Sequence, residues 1–372
     1  MRKAVIILPT YNEAKSITSL VEQIFQATAS INNWDVHIMV VDSNSPDKTG
    51  EIVENLYKSD HKKYKNLHVL HTQKEGLGKA YIEGFKTAIE KLNPYVLFEM
   101  DADHSHDPKK IPVFLKEIEN GADFVIGSRY MKGGSIPQDW GIHRKFLSFF
   151  GNWIIRLGFM NLKITEWTNG FRAIKVWIVT DSLGHLQNYT GYVFQVALLD
   201  NAIRMKAKIK EIPLKFVDRT EGVSKINSGQ YTFQTLWYVF THSSFIKFCI
   251  VGGIGFIVDF GISYLFIVVV HTAVWLATII SAETAIISNF LFNNFWSFKH
   301  KKLSRKSGNF LWSFFKFNVI ASESILIQTI GMELSTGIFG RHYWYIFKIL
   351  IIAFVIIPYS YFFYNKVVWK DQ

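Results

Sequence analysis

Between residues 4 and 129, short apolar runs alternate with longer stretches whose apolar positions recur every three to four residues. The runs at 4–8, 37–41, 67–70, 95–100 and 123–126 have the length and the valine and isoleucine content of buried strands. The stretches 14–27, 47–58, 78–92 and 108–120 each carry one apolar face and predict amphipathic helices. Strand and helix in alternation predict an α/β unit, with a mainly parallel sheet covered on both faces. A sheet of that kind takes its ligand beyond the C-terminal ends of its strands.

The pattern changes in the last third of the chain. Segments 248–270, 272–298, 310–331 and 343–364 are apolar over close to the ~20 residues that cross a bilayer. They predict an all-α transmembrane domain of four helices over 247–372. Lys299, Lys301, Lys302, Arg305 and Lys306 fill the second connection, whereas Arg341 is the only Lys or Arg in the other two. The positive-inside rule places the basic connection in the cytoplasm. An even number of spans then puts both termini and the N-terminal domain, 1–228, on that side of the cell membrane. Stretches 145–161 and 231–246 are aromatic and apolar but interrupted by polar or charged groups. They predict either core helices or helices lying in the membrane interface, and 229–246 serves as the interfacial helix or linker. Asp259, Glu283, Lys316, Glu323 and Lys348 fall within the expected spans, where ionisable groups are costly. They are expected to face the bundle interior, with ion pairs between helices the simplest arrangement. The sequence leaves open whether the bundle anchors the chain, joins copies into a homo-oligomer, or moves lipid.

Composition narrows the partners. The 372 residues carry a formal net charge of +11, with 49% hydrophobic and 16% aromatic positions. The positive excess calls for anionic partners. No zinc-finger, helix-turn-helix or RNA-binding signature accompanies it, which excludes nucleic acid and favours a lipid bilayer. The lone Cys249 excludes an intrachain disulfide and a cysteine metal cluster. Residues 1–8 lack the layout of a signal peptide, in keeping with a cytoplasmic N-terminal part.

The chemistry centres on Asp101 and Asp103. Their i, i+2 spacing at the end of an apolar strand turns both carboxylates to one side. Two hard oxygen donors at a strand's C-terminal end suit Mg2+ or Mn2+ on a substrate diphosphate. Two other strands end in polar clusters, Pro9-Thr10-Tyr11-Asn12-Glu13 and Asp42-Ser43-Asn44-Ser45, and the three clusters are expected to line one site.

With Gly127-Ser128-Arg129-Tyr130, Trp167-Thr168-Asn169-Gly170-Phe171-Arg172, Gly191-Tyr192-Val193-Phe194-Gln195 and Phe216-Val217-Asp218-Arg219 following in order, the chain resembles dolichol-phosphate mannose synthases. These are inverting enzymes of glycosyltransferase family 2 with a GT-A fold, a Rossmann-like and mainly parallel sheet. The last part of the chain, with Asn294-Phe295-Trp296-Ser297-Phe298, resembles the four-helix membrane domain found in polyprenyl-linked sugar transfer. The resemblance implies transfer of mannose from GDP-mannose to dolichyl or polyprenyl phosphate. It assigns Pro9, Tyr11, Glu13, Val40, Asp42, Ala102, Arg219 and Lys225, together with Asp101 and Asp103, to the donor. Asp101 and Asp103 are then the metal ligands, with Ser105 a weaker candidate. Ser128, Arg129 and Arg144 are assigned to the acceptor phosphate, with Arg129 in the catalytic set beside the two aspartates. Lys79, in Gly76-Leu77-Gly78-Lys79, is a further candidate near phosphate. His104 and His106 are expected to be structural. The chain departs from the family pattern at Ser43, at His104 and at Asn169. Two other readings stay open: a glucosyltransferase using UDP-glucose, and a lipid-translocating protein whose N-terminal domain only senses nucleotide sugar.

Overall fold

The computed structural model describes residues 1–189, 191–218, 228–303 and 309–370. It divides into two compact units, Met1–Leu157 with Asn161–Tyr238, and Gly158–Met160 with Val239–Gln372.

In the first unit β1 (Arg2–Thr10), β2 (Trp34–Asp42), β3 (Leu67–His71), β4 (Val96–Glu99), β5 (Phe124–Ser128), β6 (Arg172–Lys175) and β7 (Ile209–Pro213) form one sheet in the order β3-β2-β1-β4-β6-β5-β7. All neighbours run parallel except β6, which is antiparallel to β4 and β5. The strands β1 and β2 are nearly continuous apolar runs because both faces are covered. On one face α1 (Ile17–Thr28) buries Ile17, Leu20, Val21 and Ile24, and α4 (Ile111–Glu119) buries Ile111, Phe114, Leu115 and Ile118. Both helices repeat the i, i+3, i+4, i+7 spacing of a helical apolar stripe. Between them in the chain come α2 (Thr49–Ser59) and α3 (Leu77–Leu92). A Cβ at Gly84 of α3 would stand 2.7 Å from Ile7 Cγ2 and 2.8 Å from Val41 Cγ2, so only glycine lets α3 sit directly on β1 and β2. The later helices are α5 (Ile142–Gly158), α6 (Val176–Leu186), α7 (Val193–Arg204) and α8 (Ser228–His242).

The topology makes the site. Strand β1 pairs with β2 over its whole length, ending at Thr10 beside Asp42, but pairs with β4 only as far as Ile7 beside Glu99. Residues 8–10 therefore project past β4, at the point where the chain order of the strands reverses, the place where sheets of this kind take their ligands. Pro9, which has no N–H to donate, lies in the extension that β4 leaves unpaired.

Four stretches in the second unit, Ser244–Val269, Val274–Ser297, Asn309–Phe339 and Arg341–Val368, are long and apolar enough to cross a membrane. Its core is aromatic, with Phe317 stacked on Tyr364 at 4.3 Å and Phe298 on Trp369 at 4.6 Å. Asn294 explains its motif: its Oδ1 accepts the Leu303 N–H at 2.8 Å and the Trp369 indole N–H at 3.0 Å. The intramembrane charges do not form the expected ion pairs among the described residues. Asp259 accepts from the Ser281 hydroxyl at 2.6 Å, and Glu323 accepts from Tyr359 at 2.6 Å. Glu283, Glu323 and Lys348 lie on the outside of the unit rather than in its interior. Serine and tyrosine hydroxyls engage the two carboxylates without an ion pair.

Candidate active site

The three polar strand ends do meet. Asp42 is buried, and its carboxylate accepts from Thr10 Oγ1 at 3.1 Å, Ser45 Oγ at 2.5 Å and the Ser45 N–H at 3.1 Å. Asp47 accepts the N–H groups of Ala14 at 2.9 Å and Thr49 at 3.1 Å, and Thr49 Oγ1 in turn accepts the Glu13 N–H at 3.0 Å. The segments after β1 and β2 are thereby stitched into one rigid ledge. Tyr11 lies half-buried on it, with Lys74 Nζ 3.7 Å from its ring centroid. Val40, assigned to the donor by resemblance, is 0% exposed inside β2, so its side chain belongs to the core.

The aspartate loop is fastened to this ledge. Ser16 Oγ donates to the Ala102 carbonyl at 3.0 Å. His104 has a left-handed φ of 63°, and its Nε2 lies 3.0 Å from Ser19 Oγ and 3.3 Å from the Ser16 carbonyl. The unusual His104 thus ties the loop to the start of α1. His106 is fully buried and accepts the Asp101 N–H on Nδ1 at 3.0 Å, which places its proton on Nε2. That N–H faces Asn169 Oδ1 at 3.0 Å, while Asn169 Nδ2 donates to the Gly127 carbonyl at 2.5 Å. The side chain of Asn169, the other departure in the motifs, thus bridges the aspartate loop and the end of β5. Asp101 and Asp103 remain half-exposed above this framework.

No group of three or more His, Cys, Asp or Glu converges on a metal position among the described residues. Two carboxylates nevertheless fit Mg2+ or Mn2+, which complete their shells with water and substrate phosphate. The buried Ser105 hydroxyl in the same loop has no hydrogen-bond partner, a spare oxygen donor in the aspartate loop. Lys79 pairs with Glu75 at 3.6 Å and Glu83 at 3.9 Å.

Arg129 follows β5 and meets Glu166. Its Nε donates to Glu166 Oε2 at 2.7 Å and its Nη2 to Oε1 at 3.0 Å, a fork geometry unavailable to lysine. Nη2 also reaches Thr168 Oγ1 at 2.9 Å, which leaves Nη1 as the edge open to a ligand. Glu166 is fully buried, and Arg129 with the Thr168 and Asn169 N–H groups holds its carboxyl below the usual range although burial pushes the other way. Glu211 on β7 fixes this turn by accepting the N–H groups of Thr165 and Glu166. Ser128 is fully buried, with its hydroxyl shared among Thr165 Oγ1 and the N–H groups of Tyr130 and Met131. It shapes the turn that carries Arg129. Arg144 makes a forked pair with Asp218, at 2.8 and 3.3 Å, and lies 3.9 Å over the Trp140 ring. Arg219 and Lys225 lie outside the described residues.

Sequence reasoning missed four groups here. Glu166 stands one residue before the tryptophan that opens a recognised motif. Arg172 is 0% exposed, donates to the carbonyls of Asn169, Gln195 and Trp167, and lies 3.6 Å from Glu99. Burial lifts the Glu99 carboxyl to about 7 against the pull of Arg172. Tyr231 of α8 is pushed up to about 12 by burial, while it feels the charges of Arg129, Glu166 and Arg172. Only Arg172 stands inside one of the recognised motifs.

Residues 5–183 match the model of glycosyl transferase family 2, and residues 247–369 match that of the GtrA/DPMS transmembrane domain. A dolichol-phosphate mannosyltransferase of Pyrococcus furiosus is 32% identical over 337 residues, 88% of this chain and 89% of that one. A polyprenol monophosphomannose synthase of Mycolicibacterium smegmatis is 35% identical over 61% of this chain and 82% of its own length. An undecaprenyl-phosphate mannosyltransferase of Micrococcus luteus is 36% identical, covering 61% and 88%. Fold, site and these matches define a membrane-bound glycosyltransferase of family 2. Within it, the chain belongs to the dolichol-phosphate mannosyltransferase family.

Proposed function

We propose that the protein transfers mannose with inversion from GDP-mannose to dolichyl or polyprenyl phosphate, at the cytoplasmic face of the membrane and with Mg2+ or Mn2+. The observation that carries this reading is one continuous hydrogen-bonded path. It runs from Arg129 through Glu166 and Asn169 to His106 and the Asp101 N–H. A cation suited to an acceptor phosphate and a carboxylate pair suited to a donor diphosphate are thus held in one fixed frame. The names of the relatives supply mannose and the polyprenyl phosphate.

The chemistry then asks little of acid–base groups. A phosphate monoester has its second pKa near ~6, so the acceptor is largely dianionic at neutral pH and needs no protein base. Its oxygen attacks the anomeric carbon as the bond from that carbon to the diphosphate oxygen breaks, and the electron pair leaves with GDP. Arg129, through Nη1, and Arg144 hold the attacking phosphate in line. Asp101 and Asp103 would hold the divalent ion, which supplies charge neutralisation on the diphosphate when bound. The ledge of Tyr11, Glu13 and Asp42 takes the nucleoside. On α5, Ile142 at 85%, Phe146 at 56% and Leu147 at 50% exposure give the unit an apolar surface suited to lying on lipid beside a lipid-borne acceptor.

Purified protein in bilayers, given polyprenyl phosphate and a panel of radiolabelled nucleotide sugars, tests the reading. Label should enter lipid from GDP-mannose in preference to the rest. Incorporation from UDP-glucose instead would transfer the reading to a glucosyl donor, and none from any donor would sink it.

A further inference from the structure

Gly170 sits between two polar groups beside the aspartate loop. A Cβ there would fall 2.4 Å from Gln195 Nε2 and 3.6 Å from Asp101 Oδ1, so the amide of Gln195 and the carboxylate of Asp101 flank one bare glycine. Gln195 belongs to the first turn of α7, and its backbone is pinned there because its carbonyl accepts Arg172 Nη1 at 2.6 Å. The stacked rings of Tyr81 and the adjacent Phe194, 5.9 Å apart, pack the same turn against α3. The residue is only 4% exposed, yet no hydrogen bond to a described residue engages its side-chain amide. Nor is either polar atom of that amide among those sealed from solvent without a partner. A rigidly placed, nearly buried and unengaged amide at the edge of a site is a group kept for a ligand, since leaving it unpaired is costly.

The chemistry names the ligand class. A primary amide offers both a donor and an acceptor, the complement of a hydroxyl that can do both. In a nucleotide sugar the hexose hangs directly from the phosphate that the aspartate pair serves, so its hydroxyls are the next polar groups beyond Asp101. We propose that the Gln195 amide hydrogen-bonds a hydroxyl of the donor hexose and so selects among hexose epimers. This rests on the site being that of a nucleotide-sugar-dependent transferase but not on the sugar being mannose.

The test uses the full chain in detergent with polyprenyl phosphate and compares wild type with Gln195→Met and Gln195→Glu. kcat/KM is measured for GDP-mannose and for its C2 epimer GDP-glucose, and GDP affinity is measured by calorimetry. A lost hydrogen bond to a sugar hydroxyl predicts a fall in kcat/KM of about 10- to 100-fold for the preferred donor. The preference between epimers should narrow by roughly tenfold, while GDP affinity stays within about twofold of wild type. Should Gln195→Met lower the melting temperature, the near-isosteric Gln195→Glu carries the comparison. An equal loss of GDP affinity and rate would show a structural role and overturn the assignment, as would unchanged rate and preference. If wild type uses neither donor, the mannosyl reading fails on its own. The variants are then compared on the donor it does use and its epimer.

Discussion

Replacing Asp103 by alanine is expected to abolish sugar transfer while leaving the protein folded in membranes. The side chain is half-exposed, and its hydrogen bond to the Ser105 N–H at 3.1 Å is the kind of contact whose loss costs about 1 kcal/mol. Its proposed part in holding the divalent ion is worth far more. Several kcal/mol of charge stabilisation on a departing diphosphate corresponds to a rate loss of roughly a thousandfold or greater. Asp103→Asn separates the two contributions, because its amide oxygen can still accept the Ser105 N–H but carries no charge. Both variants should unfold within a few degrees of wild type in detergent, and neither should put label into lipid above background. Full activity in either would remove the aspartate pair from the site.

The second large effect belongs to the Arg129–Glu166 pair. Truncating Glu166 to alanine leaves the largely buried Arg129 guanidinium without its counter-charge, a loss of about 3–5 kcal/mol. It also frees the N–H groups of Thr168 and Asn169, so the path toward His106 loosens. Thermal unfolding should register the destabilisation directly. The double variant Arg129→Met with Glu166→Leu removes both charges together and should recover most of that stability. It should not recover transfer, because the open edge of Arg129 is then gone. Arg129→Lys keeps the charge but not the fork, and should raise the KM for polyprenyl phosphate without altering GDP affinity. Activity restored along with stability in the double variant would show that the pair only braces the fold. The pH dependence has a definite sign. The Glu166 carboxyl is held below its usual range, so its contribution is present above the unfolded-state value near 4.5 and lost as pH falls through the lowered one.

Much of this architecture was legible in the chain because buried parallel strands and amphipathic helices write simple periodicities. The five strands expected before residue 130 all exist, and so do the four helices between them. What periodicity could not show was β6 and β7. The first is four residues long with a charge at each end, and the second sets the adjacent charges Lys210 and Glu211 between two isoleucines at the sheet edge. Four apolar spans were equally plain, but the partners of Asp259 and Glu323 were not, since serine and tyrosine look unremarkable in an apolar run. At the site, residue types announced Asp101, Asp103 and Arg129. Glu166 went unseen because its partner lies 37 positions away and nothing local marks it. Val40 and Ser128, both assigned by resemblance, are buried side chains, which only packing reveals.

The most direct measurement is transfer of label from GDP-mannose to polyprenyl phosphate by the full-length protein in bilayers, before and after exhaustive chelation, with Mg2+ or Mn2+ then restored. Loss on chelation and recovery on either ion is the result these carboxylates predict. Undiminished transfer with the ion stripped away would contradict the account at its centre.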